Sequence, residues 1–90
     1  MSDYRFTNKF IKDLALMEKR GIDLDKIYEV MDLIIQNKPL PSRCRPHKLS
    51  GNHEKYTECH ALNDVLLLYE IDKEKVTFSR LGTHSDLFWT

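Results

Sequence analysis

Apolar residues recur at helical spacing through the first 37 positions and then switch to a period of two. Phe10, Ile11, Leu14 and Met17 share one side of a helix expected over about Thr7–Arg20. Thr7 offers an N-cap oxygen, Lys19 and Arg20 suit the negative end of the helix, and Gly21 suits the left-handed position beyond it. Leu24, Ile27, Tyr28, Met31, Ile34 and Ile35 form a second stripe, with Asp23 and Asp25 favouring its start and Pro39 closing it. The two segments make a helical hairpin that turns at Gly21.

Beyond Pro39 and Pro41 the pattern alternates. Residues 55–61 place Tyr56, Glu58 and His60 on one face and Thr57, Cys59 and Ala61 on the other. Residues 65–71, Val-Leu-Leu-Leu-Tyr-Glu-Ile, are the most apolar run and are expected as the central strand. Asp72 to Lys75 form a polar turn into a strand at about 76–81, and Tyr4-Arg5-Phe6 can add a short N-terminal strand. The expectation is one α+β domain over residues 1–90, a helical hairpin packed on one face of a small, mostly antiparallel sheet. Cys59 and Ala61 then face the helices, leaving Tyr56, Glu58 and His60 on the open face. Phe78 and Arg80 share parity on the last strand, so either a bulge intervenes or one of them is misplaced.

With 41% hydrophobic and 31% charged residues the chain has a globular composition. No apolar run approaches the roughly 20 residues of a membrane span, and charges interrupt the N-terminal stretch where a signal peptide would be apolar. A cytoplasmic protein is expected, with Cys44 and Cys59 as reduced thiols. The net charge of +0 does not advertise a nucleic-acid binder. Basic residues nevertheless outnumber acidic ones between positions 38 and 60, the stretch that holds the first two histidines.

His47, His60, Asp64 and His84 fall in one frame, H-K-L-x-G-x-x-x-x-Y-x-E-C-H-x-x-x-D followed by R-L-G-T-H-x-x-L-F. Histidine changes charge near neutral pH, so histidines and carboxylates brought together suit general acid–base chemistry. Arg80 adds a permanent cation whose fork matches phosphate, although it could instead pair with Glu58 across the sheet. Cleavage of RNA through its own 2′-hydroxyl needs these parts: a base, an acid and a cation for the phosphorane. Zinc is disfavoured, because Cys59 and His60 are neighbours on a strand and point to opposite faces. No metal or other cofactor is expected.

The two blocks, with Pro39-Leu40-Pro41 ahead of them and the Leu67-Leu68-Tyr69 run between them, resemble the YafQ branch of the RelE/ParE toxin superfamily over nearly the whole chain. The resemblance implies a RelE-like fold and a ribosome-dependent endoribonuclease that cuts translated mRNA in the ribosomal A site. It also implies a cognate antitoxin that silences the toxin in a hetero-oligomer, the toxin alone being monomeric. Carried over by position, His47, His60, Asp64 and His84 match the catalytic set, Glu58 and Arg80 match further active-site positions, and Phe88 matches an aromatic beside the substrate. In this scheme His84 is the acid, His60 the base with Glu58 or Asp64 orienting it, Arg80 the phosphate holder and His47 a backbone contact. Arg43, Arg45, Lys48 and Lys55 are the expected ribosome and RNA contacts. Val65 departs from the family where some relatives carry tryptophan, which bears on base stacking. The competing class is a ParE-like toxin that binds a protein target such as gyrase without cutting RNA.

Overall fold

The structure, a computed structural model, describes residues 3–49 and 55–88. In chain order these residues form β1 (Asp3–Phe6), α1 (Asn8–Lys19), α2 (Leu24–Ile35), a 3-10 turn (Ser42–Cys44), β2 (His47–Lys48), β3 (Thr57–Leu62), β4 (Val65–Asp72), β5 (Lys75–Gly82) and α3 (His84–Phe88). The strands lie in the order β1-β5-β4-β3-β2, with β1 parallel to β5 and every other pair antiparallel. The short strand β2 and the helix α3 were not expected from periodicity, being too brief to show a repeat.

The helices start and stop for identifiable reasons. The Thr7 hydroxyl accepts the Phe10 N–H at 3.0 Å, and the Asp23 carboxylate accepts the Asp25 N–H at 3.1 Å, each satisfying a donor that the first turn leaves unpaired. At the end of α1, Gly21 takes φ +83°, and Ile22 N–H reaches back to the Met17 carbonyl at 3.0 Å. Asn37, with φ 57°, performs the same closure for α2, Lys38 N–H donating to the Leu33 carbonyl at 2.9 Å. Asn37 thus ends α2 before Pro39 is reached.

Both helices cover one sheet face. Phe10 and Met17 of α1, with Ile27, Val30, Met31 and Ile34 of α2, pack over Cys59, Ala61, Leu67, Tyr69, Val76, Phe78 and Leu81. The Phe10 and Phe78 rings lie 5.7 Å apart and Phe6 stacks on Phe10 at 5.4 Å, which ties β1, α1 and β5 together. Truncating a buried phenylalanine such as Phe10 costs about 3–5 kcal/mol. No described helix is long and apolar enough to cross a membrane.

Two bulges flank β4. On β5 the register passes from Tyr69↔Phe78 to Leu68↔Arg80, so Ser79 is the extra residue. This settles the parity conflict, since Phe78 enters the core while Arg80 lies opposite Leu68 on the other face. On β3 the register passes from His60↔Leu66 to Leu62↔Val65, with Ala61 as the extra residue. Leu62 therefore packs against the core while His60 stays on the open face.

Candidate active site

One cross-strand row organises the open face. His47, Glu58, Leu68 and Arg80 stand opposite one another across β2, β3, β4 and β5. The next row holds His60, Leu66 and Gly82. Leu66 and Leu68 form a dry floor, with relative exposures of 0% and 6%, between polar flanks.

His47, His60 and His84 each have their own polar neighbour. His47 Nε2 lies 3.4 Å from Glu58 Oε1, and its Nδ1 donates to the Arg45 carbonyl at 3.1 Å. A carbonyl only accepts, so this contact places a proton on Nδ1 and turns Nε2 toward the carboxylate. Arg45 adopts φ 47° to aim that carbonyl, a left-handed conformation that costs a non-glycine residue on the order of 1 kcal/mol. His60 Nδ1 makes a long contact, 3.5 Å, with the Asn63 carbonyl, an arrangement that leaves Nε2 to accept a proton. His84 Nδ1 lies 3.9 Å from Asp64 Oδ1, both side chains being exposed.

These pairings correct the expectation that Glu58 or Asp64 orients His60. Glu58 and His60 are two residues apart on one strand, so their side chains project in parallel about 6.7 Å apart, whereas His47 is directly opposite Glu58 across the ladder. Asp64 sits in the two-residue β3–β4 turn, within reach of α3.

Arg80 does not pair with Glu58 either. Its Nε and Nη2 donate to Asp13 of α1 at 2.8 and 3.4 Å, and Asp13 also accepts the Leu81 N–H at 2.9 Å. The reason lies at the sheet edge. The chain leaves β5 after Phe6 to begin α1, so the Thr7 hydroxyl and the Asp13 carboxylate take over the Ser79 carbonyl and the Leu81 N–H. Asp13 holds one edge of the guanidinium and leaves Nη1 and one N–H of Nη2 for an anion. The hydrogen bond that Arg80 donates to Asp13 is the main cause holding the Arg80 pKa above its ordinary value.

The position of His84 is set by α3. The Thr83 hydroxyl accepts the Asp86 N–H at 3.2 Å while Asp86 accepts the Thr83 N–H at 2.9 Å, a reciprocal cap that makes His84 the first helical residue. Arg20, just past α1, donates to both Asp86 oxygens at 2.8 and 3.1 Å. Arg20 foremost, and then the Thr83 N–H, hold the Asp86 carboxyl well below the usual carboxylate range. Gly82 permits this docking, since a Cβ there would fall 2.9 Å from Asp86 Cβ. Periodicity offered no route to Asp13, Arg20 or Asp86 as site-building residues. The T-x-x-D spacing of Thr83 and Asp86 was the one signal available.

The remaining expected site residues are spread around this face. Lys48 pairs with Thr57 in the β2–β3 ladder, and Lys55 Nζ stands 5.2 Å from the Tyr56 ring centre. Arg43 donates to the Ala61 carbonyl at 3.4 Å and lines a basin with Arg45 and His60. Phe88 ends α3, and its side chain lies outside the described residues. A second cavity of about 320 Å³ lies beside Arg80, Leu68 and Tyr56. Among the described residues, no three His, Cys, Asp or Glu side chains gather as a ligand set for a metal ion.

The family described as "Bacterial toxin of type II toxin-antitoxin system, YafQ" matches residues 2–89. The mRNA interferase toxin YafQ of Escherichia coli K12 is 34% identical over 87 residues, which are 96% of this chain and 95% of the relative. The toxin in the crystal structure of the E. coli DinJ–YafQ complex matches with a TM-score of 0.91 at 34% identity, covering 98% of this chain and 99% of that one. A metal-bound toxin from Helicobacter pylori matches with a TM-score of 0.91 at 37% identity, covering 98% and 100%. Five mixed strands under two N-terminal helices, closed by a short third helix, make this a RelE-like toxin fold. Within that class, the chain belongs to the YafQ family of type II toxin–antitoxin toxins.

Proposed function

We propose that this toxin is a metal-independent mRNA interferase that acts in the cytoplasm on mRNA in the ribosomal A site. The observation that carries the proposal is the open face itself. His47 and Arg80 close the two ends of one cross-strand row, and His60 lies in the next row over a dry leucine floor. The activity named for the E. coli relative supports the same reading.

In this mechanism His60 Nε2 takes the proton of the RNA 2′-hydroxyl. The 2′-oxygen attacks the adjacent phosphorus, the bond to the 5′-oxygen breaks, and His84 delivers a proton to that leaving oxygen, giving a 2′,3′-cyclic phosphate. The free edge of Arg80 balances the charge that builds on the phosphorane. Glu58 and Asp64 orient His47 and His84 respectively, and His47 binds the RNA backbone. Arg43, Arg45, Lys48 and Lys55 hold ribosome and RNA phosphates, and Phe88 packs beside the substrate.

Residues 1–90 act as one domain, monomeric when alone. A cognate antitoxin covers the active face in a hetero-oligomer, a reading supported by the DinJ–YafQ complexes. The deciding experiment is primer extension on cellular mRNA after induction of wild type, His60→Ala and His84→Ala. Cleavage within translated codons in the wild type and its loss in both variants is the expected result. Intact transcripts with the wild type, or cleavage undiminished in the variants, would overturn the scheme. Cleavage of A-site mRNA on purified ribosomes, undiminished by a chelator that removes transition metals but spares magnesium, tests metal independence.

A further inference from the structure

The first turns of α2, the 3-10 turn and the β3–β4 turn meet at the end of the sheet around a basin of about 440 Å³. Lys26, Arg43, Arg45 and His60 line it together with Leu62 and Asn63, and no carboxylate does among the described residues. Lys26 and Arg45 form no ion pair among the described residues, and Arg43 spends one N–H on the Ala61 carbonyl. Three cations converge on one concavity with no counterion among the described residues, an arrangement that costs repulsion unless an anion enters.

The cations come from different elements. Lys26 is an exposed residue in the first turn of α2, beside the stripe that carries Ile27 and Val30 into the core. Arg43 and Arg45 flank Cys44, whose burial anchors the 3-10 turn against the sheet. The bulge at Ala61 lets His60 belong to this basin and to the open face at once. His60 lies about 6.7 Å along β3 from Glu58, a step of the order of one nucleotide in an extended strand. Arg80 lies on the other side, two strand spacings or about 9.6 Å across from Glu58.

We infer that this basin is a phosphate subsite for the RNA strand, holding the phosphodiester next to the one that is cut, with Lys26 as a binding residue. The inference rests on the proposed nuclease function and deepens it. Arg80 and the basin grip two successive phosphates, and His60 stands between them at the ribose whose 2′-hydroxyl reacts. Lys26 acts on binding rather than on the chemical step.

Two measurements on the full chain test it. The first is the salt dependence of binding to a 2′-O-methyl RNA oligonucleotide, which keeps its phosphates but has no nucleophile. Lys26→Ala is expected to weaken binding roughly three- to tenfold and to lower the slope of log K against log salt by about 0.7, while Lys12→Ala on the far helix leaves the slope unchanged. The second is a titration of the wild type with inorganic phosphate followed by NMR, expected to shift Lys26, Arg43, Arg45 and His60 together. Unchanged slopes in Lys26→Ala, with no shift at these four residues, would overturn the basin even if cellular mRNA is cut. Binding and shifts as expected, with no cut transcripts, would sink the nuclease reading and leave the anion site standing.

Discussion

Removing the Asp13 carboxylate should damage the toxin twice, once in stability and once in activity. Asp13 side-chain exposure is 12% and that of its partner Arg80 is 33%, so the pair is only partly solvated. Asp13→Ala leaves the Leu81 N–H without its acceptor, a loss of about 1–2 kcal/mol. The Arg80 ion pair, discounted for its solvation, adds about 1 kcal/mol. The sum, about 2–3 kcal/mol, corresponds to a Tm roughly 10–20 °C lower in a domain of this size. Asp13→Asn keeps an oxygen for Leu81 but loses the charge that holds Arg80, so its stability loss is confined to about 1 kcal/mol. Urea and thermal denaturation measure this part. Single-turnover RNA cleavage at a temperature where each variant is folded measures the second part. There Asp13→Asn is expected to slow the chemical step by about tenfold, equivalent to 1.4 kcal/mol, because the guanidinium loses its fixed edge. Wild-type stability in Asp13→Ala would refute the structural argument. Full activity in Asp13→Asn, alongside an inactive Arg80→Ala, would refute the positioning argument.

Gly82→Ala drives a methyl group to 2.9 Å from Asp86 Cβ and 3.0 Å from its Oδ2, so it should cost about 1–3 kcal/mol and unseat α3, visible in the urea midpoint. Because the Asp86 pKa is depressed in the folded state, its contribution is complete above the ordinary carboxylate value of about 3.9 and fades as pH falls toward the folded value. Stability between about pH 5 and 2 should therefore fall less steeply in Asp86→Asn than in wild type. An identical slope in the two proteins would count against the Arg20–Asp86 clamp. Burial pushes the Cys59 thiol up to about 12, so iodoacetamide at pH 8 should leave it unmodified in the native protein and alkylate it in urea. Rapid native alkylation, read by mass spectrometry, would show that the core opens.

The helices, β3 to β5 and the open-face identity of Glu58 and His60 were legible because burial imposes its period directly on the sequence. Even the β5 bulge announced itself, since Phe78 and Arg80 share parity but not chemistry. The polar pairings were not legible. Asp13 reads as an ordinary polar helix position, and only the departure of β1 from β5 shows why a carboxylate belongs there. Likewise Glu58 and Asp64 lie two and four residues from His60 in sequence, yet ladder geometry and the placement of α3 assign them to His47 and His84. Lys26 reads as any solvated lysine, and only the fold brings it beside Arg43 and Arg45 at the 3-10 turn.

Apart from the local Thr83–Asp86 cap, the contacts that fix Arg80 and α3 join the beginning of the chain to its far end. Thr7 to Ser79, Asp13 to Arg80 and Arg20 to Asp86 span 72, 67 and 66 residues. The β3–β4–β5 meander needs only local turns, so it can form before these long loops close. The clamp on Arg80 therefore depends on closing the longest loops of the chain, which the meander alone does not require. A chain that has built only its meander holds Glu58, His60 and Arg80 but lacks the Asp13 and Arg20 contacts that fix Arg80 and α3.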